Sequence, residues 1–213
     1  MNKIGFISIA AGVVAAAAIP NLAAAQETPW SVRIGITDLQ PANKSDVITG
    51  FPSLGADAVE VDRKVLPEID VFYTFTPNIV AELVLSYPQT MNVNLKGVGN
   101  LGTFKALPPT LLGQWHFLPG QQFDPYVGAG VNFTWIQPVH INAHPGLPLD
   151  LKKSSFGAAI QAGVDYNVDK RWFVNADIKY IAPLQTDLLL KGSKVSVVKV
   201  DPILYSLGVG YHF

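Results

Sequence analysis

The sequence contains no cysteine. That absence excludes a disulfide framework, thiolate catalysis, iron–sulfur clusters and thiolate zinc sites. Charge is scarce as well: 15% of the residues are Asp, Glu, Lys or Arg, against about 25% in an average soluble domain. The 15 basic and 16 acidic residues nearly cancel, which argues against a nucleic-acid partner or a polybasic membrane anchor. Beyond the N-terminal segment no run reaches the ~18 apolar residues of a spanning helix. Nor does any window place apolar residues at helical spacing. What is plentiful is hydrophobic residues, at 49%, with 18 Gly and 16 Pro punctuating the chain. A length of 213 residues suggests one domain, at most two.

Lys3 precedes an almost unbroken apolar stretch from Ile4 to Ile19, and Ala23-Ala24-Ala25 supplies small residues behind it. This is the pattern of a secretory signal peptide. Residues 1–25 are expected to be cleaved, leaving a domain over 26–213; the alternative is a retained N-terminal anchor.

Period two runs through the remainder. Trp30, Val32, Ile34 and Ile36 alternate with Ser31, Arg33, Gly35 and Thr37. Similar stretches of about ten residues run through Glu68–Phe75, Ile79–Tyr87, Leu111–Phe117, Phe123–Trp135, Ser155–Tyr166, Trp172–Tyr180 and Ile203–Phe213. Eight strands are therefore expected. One face of the set has no Asp, Glu, Lys, Arg or His and carries Trp and Tyr near strand ends, whereas the other holds Arg33, Glu68, Asp70, Glu82, Asp124, Asp165, Asp177 and Lys179 among small and polar residues. A soluble sandwich would also alternate, but its charges would cover a wet face rich in Lys and Thr. An apolar, aromatic-ended outer face around a small, mixed-charge interior predicts an all-β, eight-stranded antiparallel transmembrane barrel, closed so that no edge amide is unpaired. A secreted sandwich or lipocalin-like barrel is the competing fold. The short connections at Thr76–Asn78, Leu118–Gln122 and Asn167–Arg171 suit periplasmic turns. The long ones, near 40–66, 88–108, 137–153 and 182–200, suit outward loops; both termini would then be periplasmic.

Leu107-Pro108-Pro109-Thr110, Gln114-Trp115 and Asp124 through Asn132 resemble the OmpW family of small outer-membrane barrels, which includes AlkL-type proteins. Trp30–Gly35, Asn78–Leu83, Phe156–Ala159, Gln161–Tyr166 and the ending Gly208–Phe213 fit as well, so the likeness covers nearly all of 26–213. It implies an eight-stranded barrel with a narrow apolar channel, uptake of small hydrophobic molecules, and release through the barrel wall. The terminal Phe213, with aromatic residues before it, resembles the signal read by the barrel-assembly machinery.

Eight strands enclose room for side chains or one small ligand, which excludes a wide porin. On the inward face Phe72, Val80, Val84, Leu112, Tyr126, Phe173 and Leu204 form an apolar set expected to line the upper channel, with Leu66, Leu147, Leu149 and Leu151 at its mouth. The alternative is that they plug the interior. Arg33, Glu82, Asp165, Asp177 and Lys179 are expected to form a salt-bridged floor, since buried charges persist when paired. Pro108 and Pro109 each remove a ladder donor and mark a candidate lateral opening. The expected function is passive uptake of small apolar solutes by a monomer in outer-membrane lipid, without a cofactor. The alternative is a structural or receptor barrel whose loops bind a bacteriocin, phage or host surface. Enzymatic chemistry would need His116, His212 and Ser206 to act together, and no catalytic role is assigned to them.

Three motif matches carry nothing. Gly97-Val98-Gly99-Asn100-Leu101-Gly102 fits G-x-G-x-x-G without a βαβ context. His140 and His144 have helical spacing in a segment that Pro145 denies a helix. Asn43-Lys44-Ser45 and Asn132-Phe133-Thr134 match glycosylation sequons that an outer-membrane location makes irrelevant.

Overall fold

The computed structural model describes residues 28–47, 55–97, 99–142, 148–190 and 193–213. The expected signal peptide, Leu147 and His144 lie outside the described residues, as do the side chains of His140, Leu149 and Leu151. Every regular element described is a strand.

Eight strands close into a barrel: β1 (Trp30–Gln40), β4 (Lys64–Thr76), β5 (Ile79–Leu85), β8 (Thr110–His116), β9 (Phe123–Asn142), β11 (Ser154–Asn167), β12 (Trp172–Ala182) and β15 (Ile203–His212). Each pairs antiparallel with its neighbours in chain order, and β15 returns to β1 from Ser31–His212 to Gln40–Ile203. The Phe213 carbonyl accepts from the Thr28 N–H at 3.0 Å, extending the seam to the chain ends. Closure leaves no edge, the condition for a sheet in hydrocarbon.

The alternation becomes an inside and an outside. Ile34, Ile36, Leu83, Leu111, Val131, Ile160 and Leu207 are exposed on the outer surface, where lipid takes the role of a core. Aromatic side chains gather near the strand ends. At the end bearing the short turns, Trp30 stands edge-on to Tyr73 and Trp172 edge-on to Tyr211. At the other, Phe133 meets Phe156.

Beyond the barrel the long connections are not irregular. Seven shorter strands fill them: β2 (Lys44–Ser45), β3 (Val59–Val61), β6 (Gln89–Leu95), β7 (Gly99–Leu107), β10 (Pro148–Leu151), β13 (Gln185–Leu190) and β14 (Ser193–Lys199). β6 pairs β7, which pairs the far half of β9, while β10, β13 and β14 form a second rising sheet. The G-x-G-x-x-G match sits across the β6–β7 hairpin, with Gly97 at φ +77°, so it turns a hairpin and starts no helix. Ala58, Val59, Val61, Met91, Val93, Leu95, Phe104, Ile136, Leu188 and Val198 give this upper region its own apolar core.

Candidate functional site

A polar plate crosses the lumen. Every one of the eight wall strands contributes to it: Arg33, Glu68 and Asp70, Glu82, Gln114, Tyr126, Gln161, Asn175 with Asp177 and Lys179, and Ser206. The Arg33 guanidinium donates through Nε to Asp70 Oδ2 at 2.6 Å and through one terminal nitrogen to Glu82 Oε1 at 2.7 Å. That nitrogen also lies 3.2 Å from Asp177. Lys179 Nζ is 2.9 Å from both Glu68 and Asp177. Gln114 donates to the second Glu82 oxygen at 2.7 Å and to Gln161 at 3.0 Å, and Asn175 donates to the Tyr126 hydroxyl at 2.9 Å. Arg33 and Lys179 are each only 1% exposed. Ion pairing, with further hydrogen bonds to the carboxylates from Thr37 and Gln114, is what makes such burial sustainable.

Glu68 and Asp70 belong at the centre of this network, although the expected floor omitted them. Their inward parity was visible; their reach to Arg33 and Lys179 was not. Asp165 departs from the expectation: its carboxylate accepts from Asn175 at 2.6 Å on the turn side of the plate, rather than meeting a cation.

The apolar set divides around the plate. Phe72, Val80 and Phe173 cluster on the turn side, with Phe72 and Phe173 edge-on at 6.3 Å and the Arg33 guanidinium 5.2 Å above the Phe72 ring. They therefore lie below the plate, not above it as expected. Tyr126 lies within the plate. Only Val84, Leu112 and Leu204 lie above it, packed with Ala159, Ile181 and Leu184. Strand parity fixes inside and outside, but height in a tilted barrel depends on strand stagger. Inward glycines make room for the lower rings. A Cβ on Gly210 would stand 2.0 Å from Phe173 Cζ, and one on Gly163 would stand 2.5 Å from the Tyr126 ring.

Two cavities flank the plate. On the turn side an open vestibule of about 780 Å³ is lined by His116, Asp124, Asp165 and His212, among others. Above the plate a cavity of about 60 Å³ is bounded by Leu39, Leu66, Met91, Phe104, Pro108 and Leu184, and no charged side chain reaches it. Val61, Met91, Phe104 and Ala106 bring part of its apolar wall from the extension strands. Their continuing alternation at Met91, Val93 and Leu95 was the available signal.

The wall is interrupted beside this upper cavity. Pairing of β5 with β8 ends at Val84–Thr110, and pairing of β6 with β7 begins at Gln89–Ala106. Between them lie Leu85 to Pro88 on one side and Leu107 to Pro109 on the other. Pro88, Pro108 and Pro109 carry no N–H to bridge the gap. The carbonyls of Pro108 and Pro109 instead accept from the inward Asn132 amide at 3.3 and 3.2 Å.

His116, His212 and Ser206 are not brought together. His116 bonds to Asp124 at 2.9 Å, His212 to Ser31 at 2.7 Å, and Ser206 lies in the plate beside Thr37 and Lys179.

The chain matches the OmpW family over residues 26–213. It belongs to that family. It is 39% identical to the uncharacterized outer-membrane protein y4mB of Sinorhizobium fredii, over 89% of this chain and 82% of that protein. It is 28% identical to the dibenzothiophene metabolism operon protein PahQ of Pseudomonas aeruginosa, covering 89% and 90% of the two chains. Among solved structures, the outer membrane protein OprG from Pseudomonas aeruginosa superposes with a TM-score of 0.77, at 28% identity and over 88% of this chain and 97% of that one. Membership places the protein in the outer membrane of Gram-negative bacteria and accounts for the apolar outer face.

Proposed function

We propose that this OmpW-family barrel is a passive outer-membrane channel for small apolar molecules, which descend to the upper cavity and leave sideways through the wall. The observation that carries this reading is the sequence of environments along the lumen. An uncharged apolar cavity opens beside a gap in the strand ladder, and directly beneath it lies a plate of paired charges. A dry solute gains by entering the cavity. Crossing the plate would force it to displace ion pairs and their hydrogen bonds. The gap flanked by Pro88, Pro108 and Pro109 is then the exit of lower resistance, and it opens towards lipid. The operon named for PahQ, dibenzothiophene metabolism, concerns an apolar compound and supports a cargo of that kind.

On this reading the turn end, with both chain ends, faces the periplasm. Residues 1–25 are removed during export, Phe213 engages the assembly machinery, and one barrel acts alone. A charged side chain above the plate tests the route: Val84→Asp should abolish uptake of an apolar solute while the folded barrel persists. Unchanged uptake in a folded Val84→Asp protein would contradict it.

A further inference from the structure

We infer that the outer wall carries a binding site for a phosphate of lipid A, the acylated and phosphorylated diglucosamine of the outer leaflet, at Lys152 and Ser154 above the Phe133–Phe156 pair. The inference rests on the orientation given above, with the turn end in the periplasm, and is independent of transport.

The bend between β10 and β11 is tied to β13. The Lys152 N–H donates to the Asp187 carbonyl at 3.1 Å, and the Lys152 carbonyl accepts from the Thr186 hydroxyl at 3.2 Å. The Ser155 hydroxyl donates to the Gln185 carbonyl at 2.6 Å and accepts from the Gln185 N–H at 3.1 Å. These bonds frame a pocket of about 260 Å³ on the outer surface. Its lower wall is Phe133 and Phe156, outward rings 6.0 Å apart and 41% and 64% exposed. Its upper wall is Lys152, Ser154, Gln185 and Asp187. Aromatic girdles mark the hydrocarbon edge in outer-membrane barrels. The pocket therefore straddles the level where acyl chains end and headgroups begin.

Its charge is of one sign once the ion pairs are set aside. Asp187 is compensated by Lys194 Nζ at 2.7 Å. Among the described residues nothing engages the ammonium of Lys152 or the hydroxyl of Ser154. Lys152 is exposed and Ser154 half-buried, so each is presented to a ligand. An ammonium and a hydroxyl both donate to phosphate oxygens, while acyl chains of the same ligand lie against the two rings. Free phosphate would leave the rings unused, and a neutral lipid would leave Lys152 without a counter-charge. A molecule of liquid water takes about 30 Å³, so the pocket has room for a phosphate and the sugar atoms that carry it. With the long connections outward, phosphates at this level belong to lipid A.

The test titrates the full-length barrel in non-ionic detergent with lipid A, with lipid A stripped of its phosphates, and with phosphatidylglycerol, counting bound lipid by native mass spectrometry. Lipid A should bind one to one and at least about fivefold tighter than the stripped form, the scale of one lysine at an anionic membrane surface. Lys152→Gln combined with Ser154→Ala should erase that difference. Lys153→Gln removes the same charge at an exposed position outside the pocket lining and should preserve it. Equal losses in the two variants would reduce the site to diffuse surface charge and overturn it. Phosphatidylglycerol bound as tightly as lipid A would overturn the choice of ligand. Because the chain has no cysteine, Lys153→Cys reads the orientation separately. Its labelling in intact cells by a membrane-impermeant maleimide supports a site in the outer leaflet, and labelling only after lysis overturns it. Failure of the barrel to pass any apolar solute would sink the channel reading alone, since lipid binding is measured without transport.

Discussion

Arg33 and Asp70 face each other directly across the β1–β4 ladder, and the guanidinium Nε donates to the carboxylate at 2.6 Å. The pair anchors a plate in which four carboxylates, Glu68, Asp70, Glu82 and Asp177, surround two cations, Arg33 and Lys179. Removing either cation leaves acids buried without compensation.

Arg33→Met should therefore destabilise the barrel by about 3–5 kcal/mol. Adding Asp70→Leu and Glu82→Leu to that change should recover part of the loss, because the orphaned charges go with it. Denaturant unfolding in lipid vesicles measures both. Equal stability of wild type and Arg33→Met would show that the plate does not brace the wall.

The glycine opposite the lower aromatic cluster sets a steric test. Gly210→Ala would drive a methyl group into the Phe173 ring, and overpacking of this kind costs about 1–3 kcal/mol. Phe173→Leu in the same chain should relieve it. A Gly210→Ala barrel as stable as the wild type would mean that the ring moves freely.

The two sides of the plate should differ in their effect on transport. Phe173→Ala removes an aromatic ring below the plate, at a stability cost of about 3–5 kcal/mol. Uptake of apolar solutes by the folded protein should nonetheless be retained, since the proposed route leaves above it. Leu112→Asp, above the plate, should stop uptake. Comparable losses in both variants would indicate passage through the whole lumen.

Asp169 in the turn between β11 and β12 gives a pH-dependent prediction. The N–H groups of Arg171 and Trp172 donate to its Oδ1 at 2.7 and 2.8 Å, holding the carboxyl below its ordinary range. A folded-state pKa below the unfolded one contributes stability above the unfolded value, and that contribution is lost as pH falls through the folded value. Asp169→Ala should thus be slightly less stable than wild type at neutral pH, and the difference should close in acid. A gap that widens on acidification would contradict this turn chemistry.

The barrel was legible because lipid outside and a crowded lumen inside impose opposite demands on alternate residues. Ile34 against Arg33, or Leu83 against Glu82, shows both demands at once. The upper sheets were less so. Outside the membrane the second face of β6 carries Thr90, Asn92 and Asn94, which read as loop polarity although Met91, Val93 and Leu95 beside them point into a core. Height was hidden for another reason. Phe173 and Leu204 share the inward parity, yet the stagger of a tilted wall sets one below the charged plate and the other above it. The gap at Pro108 and Pro109 was visible as two missing donors. Its third proline, Pro88, became relevant only once β5 and β6 were seen to face β8 and β7.

The most direct test of the central claim compares flux of a medium-chain ester with that of a sugar of similar size, in vesicles with a lipopolysaccharide outer leaflet and the full-length barrel. The account predicts that the barrel accelerates the ester and leaves the sugar at the protein-free rate, because the plate closes the aqueous path. Acceleration of the sugar, or of neither solute, would contradict it.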